Sequence, residues 1–151
     1  MRRISLVVAV AALLPAVVTW RPAVAQSGQS LQYTVVFSDS QGVTHFRDEQ
    51  LPWQVQTPAY SSSSALMTPY QDAEKIGFFR LPHGFRSDWH PAPSKRFAML
   101  LTGASEIEVG YGQRRTFRPG SVVLVTDTTG RGHRTNVIGS DDTLSVWVPV
   151  P

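Results

Sequence analysis

At 151 residues, with 14 basic and 11 acidic side chains and no cysteine, the chain is long enough for one domain with a sizeable core and too short for two ordinary ones. The missing cysteines exclude a disulfide framework, thiolate metal ligands and a Cys-anchored lipoprotein. The surplus of positive charge does not point to nucleic acid or an anionic membrane: without Arg2, Arg3 and Arg21, which lie in a segment that reads as removable, 11 basic residues face 11 acidic ones.

Residues 1–25 have the three parts of a secretory signal. Arg2 and Arg3 supply the basic start, Ile4 to Val18 the apolar stretch, and Ala23-Val24-Ala25 a small-residue cleavage site. The apolar stretch is shorter than the ~20 residues of a membrane span, and Pro15 interrupts it. The expectation is cleavage before Gln26 and an exported protein, periplasmic or secreted, with no membrane attachment afterwards. The Arg2-Arg3 pair raises the twin-arginine route, which the residues after it do not support.

Residues 26–151 then form the expected domain. Gln32 to Ser38 is rich in β-branched and aromatic residues, and the SDSQG cluster leads into Val43 to Arg47, so the two pair as a hairpin. From Leu51 to Tyr70, three prolines and the run Ser61 to Ser64 break any period, and an irregular surface segment is expected. Lys75 to Leu81 returns to strand character, Pro82-His83-Gly84 turns the chain, and Phe85 to His90 reads as a further strand. Strict two-residue alternation there places Arg86, Asp88 and His90 on one face, with Phe85, Ser87 and Trp89 on the other.

Phe97 to Leu101 reads as a buried strand, and the alternation of Glu106 and Glu108 with Ile107 and Val109 as a strand with one wet face. Tyr111-Gly112-Gln113 turns into Arg114 to Phe117; Pro119-Gly120 turns into the apolar run Val122 to Val125. A Gly-punctuated bend, with Gly130 and Gly132 suited to positive φ, leads on to His133 and Asn136, and Leu144 to Val148 ends the pattern. About nine short strands separated by Gly and Pro turns, with no amphipathic helix, predict an all-β sandwich or barrel.

Two stretches resemble the cupins, small β-barrels of jelly-roll type. In the first, Gly84 is followed by five residues, His90-Pro91-Ala92, three residues, Arg96, six residues and Gly103. That is the spacing of the first cupin motif, with Ala92 in the place of its second His and Arg96 in the place of its Glu. In the second, Gly120, SVVLV, Thr126-Asp127-Thr128, His133 and Asn136 follow the second motif more loosely, His133 falling two residues late. WHPAPSKRF and DTTGRGHRTN are also similar to segments of a subgroup of uncharacterised cupin-like proteins. The resemblance spans about residues 75–148 and implies a single-domain jelly-roll β-barrel, here with the N-terminal hairpin added.

In that family a divalent metal such as iron, manganese, nickel or zinc is held by the motif histidines and glutamate. The resemblance therefore implies His90 and His133 as metal ligands, and Asp88 is the carboxylate available to complete two imidazoles into a facial triad. Such a centre would support an oxygenase or isomerase. Arg96 in the glutamate slot opposes it, because a cation adds to the positive charge gathered there. For Asp88 an ion pair with Arg86 or Arg96 is preferred to ligation, and His90 and His133 serve equally as inward histidines satisfied by hydrogen bonds.

Arg86, Arg96 and Asn136 are the candidate ligand-binding residues, since guanidinium groups beside two imidazoles suit a carboxylate or phosphate. His45, His83, Arg114, Arg115, Arg118 and Arg134 read as surface residues, and Trp89 as a packing residue. Three functions stay open: a small polar or anionic molecule bound in the barrel mouth with metal chemistry, a metal-free binding or sensory module, and a structural homodimer joined through the N-terminal strands. Nucleic acid is not an expected partner.

Overall fold

The computed structural model describes Ser30 to Pro151; the expected signal segment and Gln26 lie outside the described residues. The expected hairpin forms and is longer than its apolar residues indicate: β1 (Ser30–Ser38) pairs along its whole length with β2 (Thr44–Pro52). Cross-strand hydrogen bonds explain the extension, with Thr34 donating to Asp48 at 3.0 Å and Tyr33 donating to Glu49 at 2.6 Å.

The segment expected to be irregular is partly ordered. β3 (Gln54–Gln56) and β4 (Ala65–Met67) form a small antiparallel ribbon whose residues are all exposed, with the tetraserine in its loop. Pro52 ends β2, Pro58 lies in the ribbon's loop and Pro69 follows β4, so none interrupts the two strands of the ribbon.

The remaining elements are β5 (Gly77–Leu81), β6 (Arg96–Thr102), β7 (Ser105–Glu108), a single 3-10 turn at Gly110–Gly112, β8 (Arg114–Phe117), β9 (Val122–Val125), β10 (Arg134–Val137) and β11 (Thr143–Pro149). One sheet runs β2-β1-β9-β6-β11-β5 and another β10-β7-β8. Phe85 to His90 is not a continuous strand as expected. It meets β10 through two isolated bridges, Arg86 to Asn136 and His90 to His133, separated by a bend at Trp89.

With that segment counted as an edge, the second layer runs 85–90, β10, β7, β8 and faces β5, β11, β6, β9. This is the strand order of an eight-stranded jelly roll, to whose β9 edge the N-terminal hairpin is attached through a parallel β1-β9 pairing. The fold is all-β. Among the described residues no helix is long and apolar enough to cross a membrane.

The core lies between the layers. Val36, Ile107, Val109, Phe117, Val123 and Val125 are buried together, each contributing roughly 1.5–3 kcal/mol of transfer free energy. Ala92, in the slot of the second motif histidine, is also part of this cluster. The face of β7 expected to be wet is only partly so: Glu108 is buried and accepts from Arg114 (2.9 Å) and Arg134 (2.6 Å), two residues expected to be solvated. Arg115, also expected to be solvated, pairs with Asp48.

Candidate functional site

A cavity of about 200 Å³ opens between the layers, beside the core. β5, β11, β6 and β9 form one wall; β7, β8, β10 and the 85–90 segment form the other. The lining is mainly apolar, and its chemistry is concentrated in Arg96, His90 and His133.

The two histidines are brought together by backbone. His90 N–H donates to the His133 carbonyl and His133 N–H to the His90 carbonyl, both at 3.0 Å, and the ring centroids lie 4.9 Å apart. This close pairing depends on Gly132. Its φ is +77°, and a Cβ there would lie 1.9 Å from the His90 carbonyl oxygen.

Each ring is oriented through Nδ1. His90 Nδ1 lies 2.9 Å from the Asp88 carbonyl oxygen, and His133 Nδ1 lies 2.7 Å from Asp127 Oδ2. Both partners only accept, so in the neutral rings Nδ1 carries the hydrogen and Nε2 keeps its lone pair. The arrangement therefore offers two hydrogen-bond acceptors, or a general base, at the cavity surface. Asp127 is fully buried two residues past β9, and its Oδ1 has no hydrogen-bond partner.

Arg96 opens β6 and is 5% exposed. Its guanidinium carbon sits 4.2 Å from the centroid of the Trp147 ring, Nη1 reaches the Ser94 carbonyl at 3.4 Å, and Nε has no partner. Burial lowers its pKa below the ordinary arginine range, and the charge of nearby Asp127 acts in the opposite direction.

Of the six residues singled out from the sequence, the structure brings three together in the cavity: His90, His133 and Arg96. Arg86 and Asp88 are exposed and do not line it. The reason is the bend at Trp89. Phe85 and Ser87 face the cavity, so Arg86 and Asp88 face away, and the bend shifts the alternation before His90 turns inward. The reading of Arg86, Asp88 and His90 as one face is thus corrected. Asp88 has no ion-pair partner among the described residues, against the expected pairing with Arg86 or Arg96.

Asn136 is buried outside the cavity, its side-chain amide 3.5 Å from Glu106. His45 bonds Asp39 at 2.8 Å, and His83 lies in its exposed turn. Trp89 is half-buried beneath Arg131, 4.0 Å from its ring centroid.

The residues do not fit the metal that the cupin resemblance implies. Among the described residues no three His, Asp or Glu side chains are grouped to hold an ion. Asp88 faces away, Asp127 is engaged by His133 Nδ1, and a guanidinium occupies the glutamate slot. Sequence reasoning missed Asp127, which it aligned to a turn position. A carboxylate two residues after the apolar run Val122 to Val125 was the available signal, because a charge near a buried strand end requires a partner.

No family model matches the chain, and no curated protein matches it. Solved structures similar to it include a Cupin 2 conserved barrel domain protein from Salinispora arenicola, at 20% identity and TM-score 0.38 over 64% of this chain and 74% of that one. A second is an RmlC-like cupin family protein with a double-stranded β-helix fold from Methanocaldococcus jannaschii, at 14% and 0.40 over 65% and 89%. A third is the Cnp3 cupin domain of Schizosaccharomyces pombe, at 14% and 0.39 over 82% and 86%. Likenesses of this degree carry no argument about activity. By the order of its own strands, the chain is a jelly roll.

Proposed function

We propose that this chain is an exported cupin-type protein that binds a small polar or anionic molecule between its two sheets, without a metal. The observation that carries this reading is the convergence of Arg96, His90 and His133 on one otherwise apolar cavity. Concave, mainly apolar sites with a few converging polar groups are the usual form of small-molecule sites. Arg96 in the glutamate slot and the missing third ligand favour the metal-free version over the metalloenzyme. Export rests on the N-terminal pattern of Arg2, Arg3 and Ala23-Val24-Ala25 alone.

The test is metal analysis of protein purified without a histidine tag, beside the His90→Ala/His133→Ala double variant, with thermal shifts by small organic anions recorded before and after chelation. Substoichiometric metal and ligand-induced shifts that survive chelation are the expected result. Near-stoichiometric iron, manganese, nickel or zinc that disappears in the double variant would overturn the metal-free reading.

A further inference from the structure

Arg96 is a buried cation with no carboxylate in direct contact. Among the described residues no carboxylate lies within ion-pair distance of it. A guanidinium has five N–H donors, and here Nε meets nothing while Nη1 has one long contact to a carbonyl. A buried charge in this condition is costly. Asp127 is close enough to be felt electrostatically but makes no direct contact with the guanidinium: its Oδ2 bonds His133 and its Oδ1 has no hydrogen-bond partner.

We infer that the molecule bound here is a carboxylic acid with a compact apolar body, its carboxylate received by the Arg96 guanidinium. The inference rests on the reading of this cavity as a small-molecule site. The guanidinium carbon lies 4.2 Å over the Trp147 ring, which packs against the group, and a guanidinium receives a carboxylate through two parallel hydrogen bonds. Arg96 is the only Arg or Lys among the lining residues, which suits one negative charge better than the greater charge of a phosphate.

The rest of the lining chooses the body of the ligand. Phe79 stacks on Trp147 with ring centroids 4.1 Å apart and planes 11° from parallel, and both line the cavity with Phe85, Phe117 and Ile107. These surfaces match a single aromatic ring or a branched aliphatic chain. The volume is below the roughly 300–1,000 Å³ of sites for drug-sized molecules, which excludes nucleotides and oligosaccharides from full enclosure.

The experiment is calorimetric titration and thermal shift of the purified protein with phenylacetate and 4-methylpentanoate, with phenylacetamide as the neutral isostere and inorganic phosphate as the second anion, at constant ionic strength. Both acids are expected to bind, with the amide weaker by about tenfold or more, the scale of a charge-assisted pair. Arg96→Gln should remove that preference while leaving the amide's affinity within about twofold, since only the charged contact is lost. Ala98→Leu, which fills the cavity and keeps Arg96, should abolish acid binding in a folded protein.

The acid-against-amide comparison uses the unaltered protein and stands even if Arg96→Gln fails to fold. Equal affinity for acid and amide would overturn the inference and leave the cavity reading in place. Preference for phosphate over both acids would overturn the carboxylate. Binding of none of the four at millimolar concentration would overturn both the inference and the site it rests on.

Discussion

The imidazole of His133 donates its Nδ1 hydrogen to Asp127 across 2.7 Å, and neither residue is more than 4% exposed. Asp127 lies two residues past β9 and His133 precedes β10, so one contact ties the two layers together where the cavity begins. Asp127→Ala leaves a buried donor unmatched, at a cost of about 1–3 kcal/mol in chemical denaturation. It also frees the ring, so long-range 1H–15N correlation should show His133 populating the tautomer with the hydrogen on Nε2. An unchanged tautomer in the folded variant would show that Asp127 does not orient the ring.

Gly132 and Gly112 offer a matched pair of substitutions, because both have positive φ and only one is crowded. A Cβ at Gly132 would lie 1.9 Å from the His90 carbonyl oxygen, whereas at Gly112 nothing lies within 4 Å. Gly112→Ala carries the backbone strain alone, about 1 kcal/mol. Gly132→Ala must also part the two histidines and should cost on the order of 3 kcal/mol or more. Urea midpoints of the two variants decide it; equal losses would mean that the bridge between His90 and His133 yields easily.

Asp142 governs part of the acid limb of stability. Its carboxylate accepts the His83 backbone N–H at 2.7 Å and Arg80 Nε at 2.8 Å, and these bonds hold its folded pKa below the usual carboxylate range. A lowered folded value means that the contribution is complete above the unfolded carboxylate's range and is lost as pH falls through the folded one. Asp142→Asn should therefore be less stable at neutral pH and show a shallower decline on acidification. Parallel curves from urea unfolding at each pH would contradict this.

Tyr33 has the opposite sign. Burial, reinforced by the hydrogen bond it donates to Glu49 at 2.6 Å, raises its pKa from 10.0 to about 12. The neutral phenol is the favoured form, so its contribution is present below the ordinary value and is lost as pH rises through about 12. Absorbance titration should show a phenolate transition near 12 that Tyr33→Phe lacks, and the variant's alkaline limb should be flatter.

Much of the architecture was legible in local patterns. β1, β5, β6, β9 and β11 were each announced by apolar or β-branched runs, and β8 by the turns on either side of it, because a buried strand needs little more than that to be specified. The short β3-β4 ribbon was not, since its residues are exposed and leave no apolar period. His90, Arg96 and His133 were legible as candidates through their places in a spaced motif.

What the sequence determined by itself was the all-β class and the turn positions, which follow from residue type and spacing along the chain; the nearness of the two histidines was implied only by the resemblance. Only the tertiary structure decided which side chains share the cavity. A two-residue period assigns faces correctly until the chain bends, and the bend at Trp89 turned Arg86 and Asp88 away while admitting His90. The partnership of Asp127 with His133, and the packing of the Arg96 guanidinium over Trp147, are contacts between segments whose mutual distance no local pattern encodes.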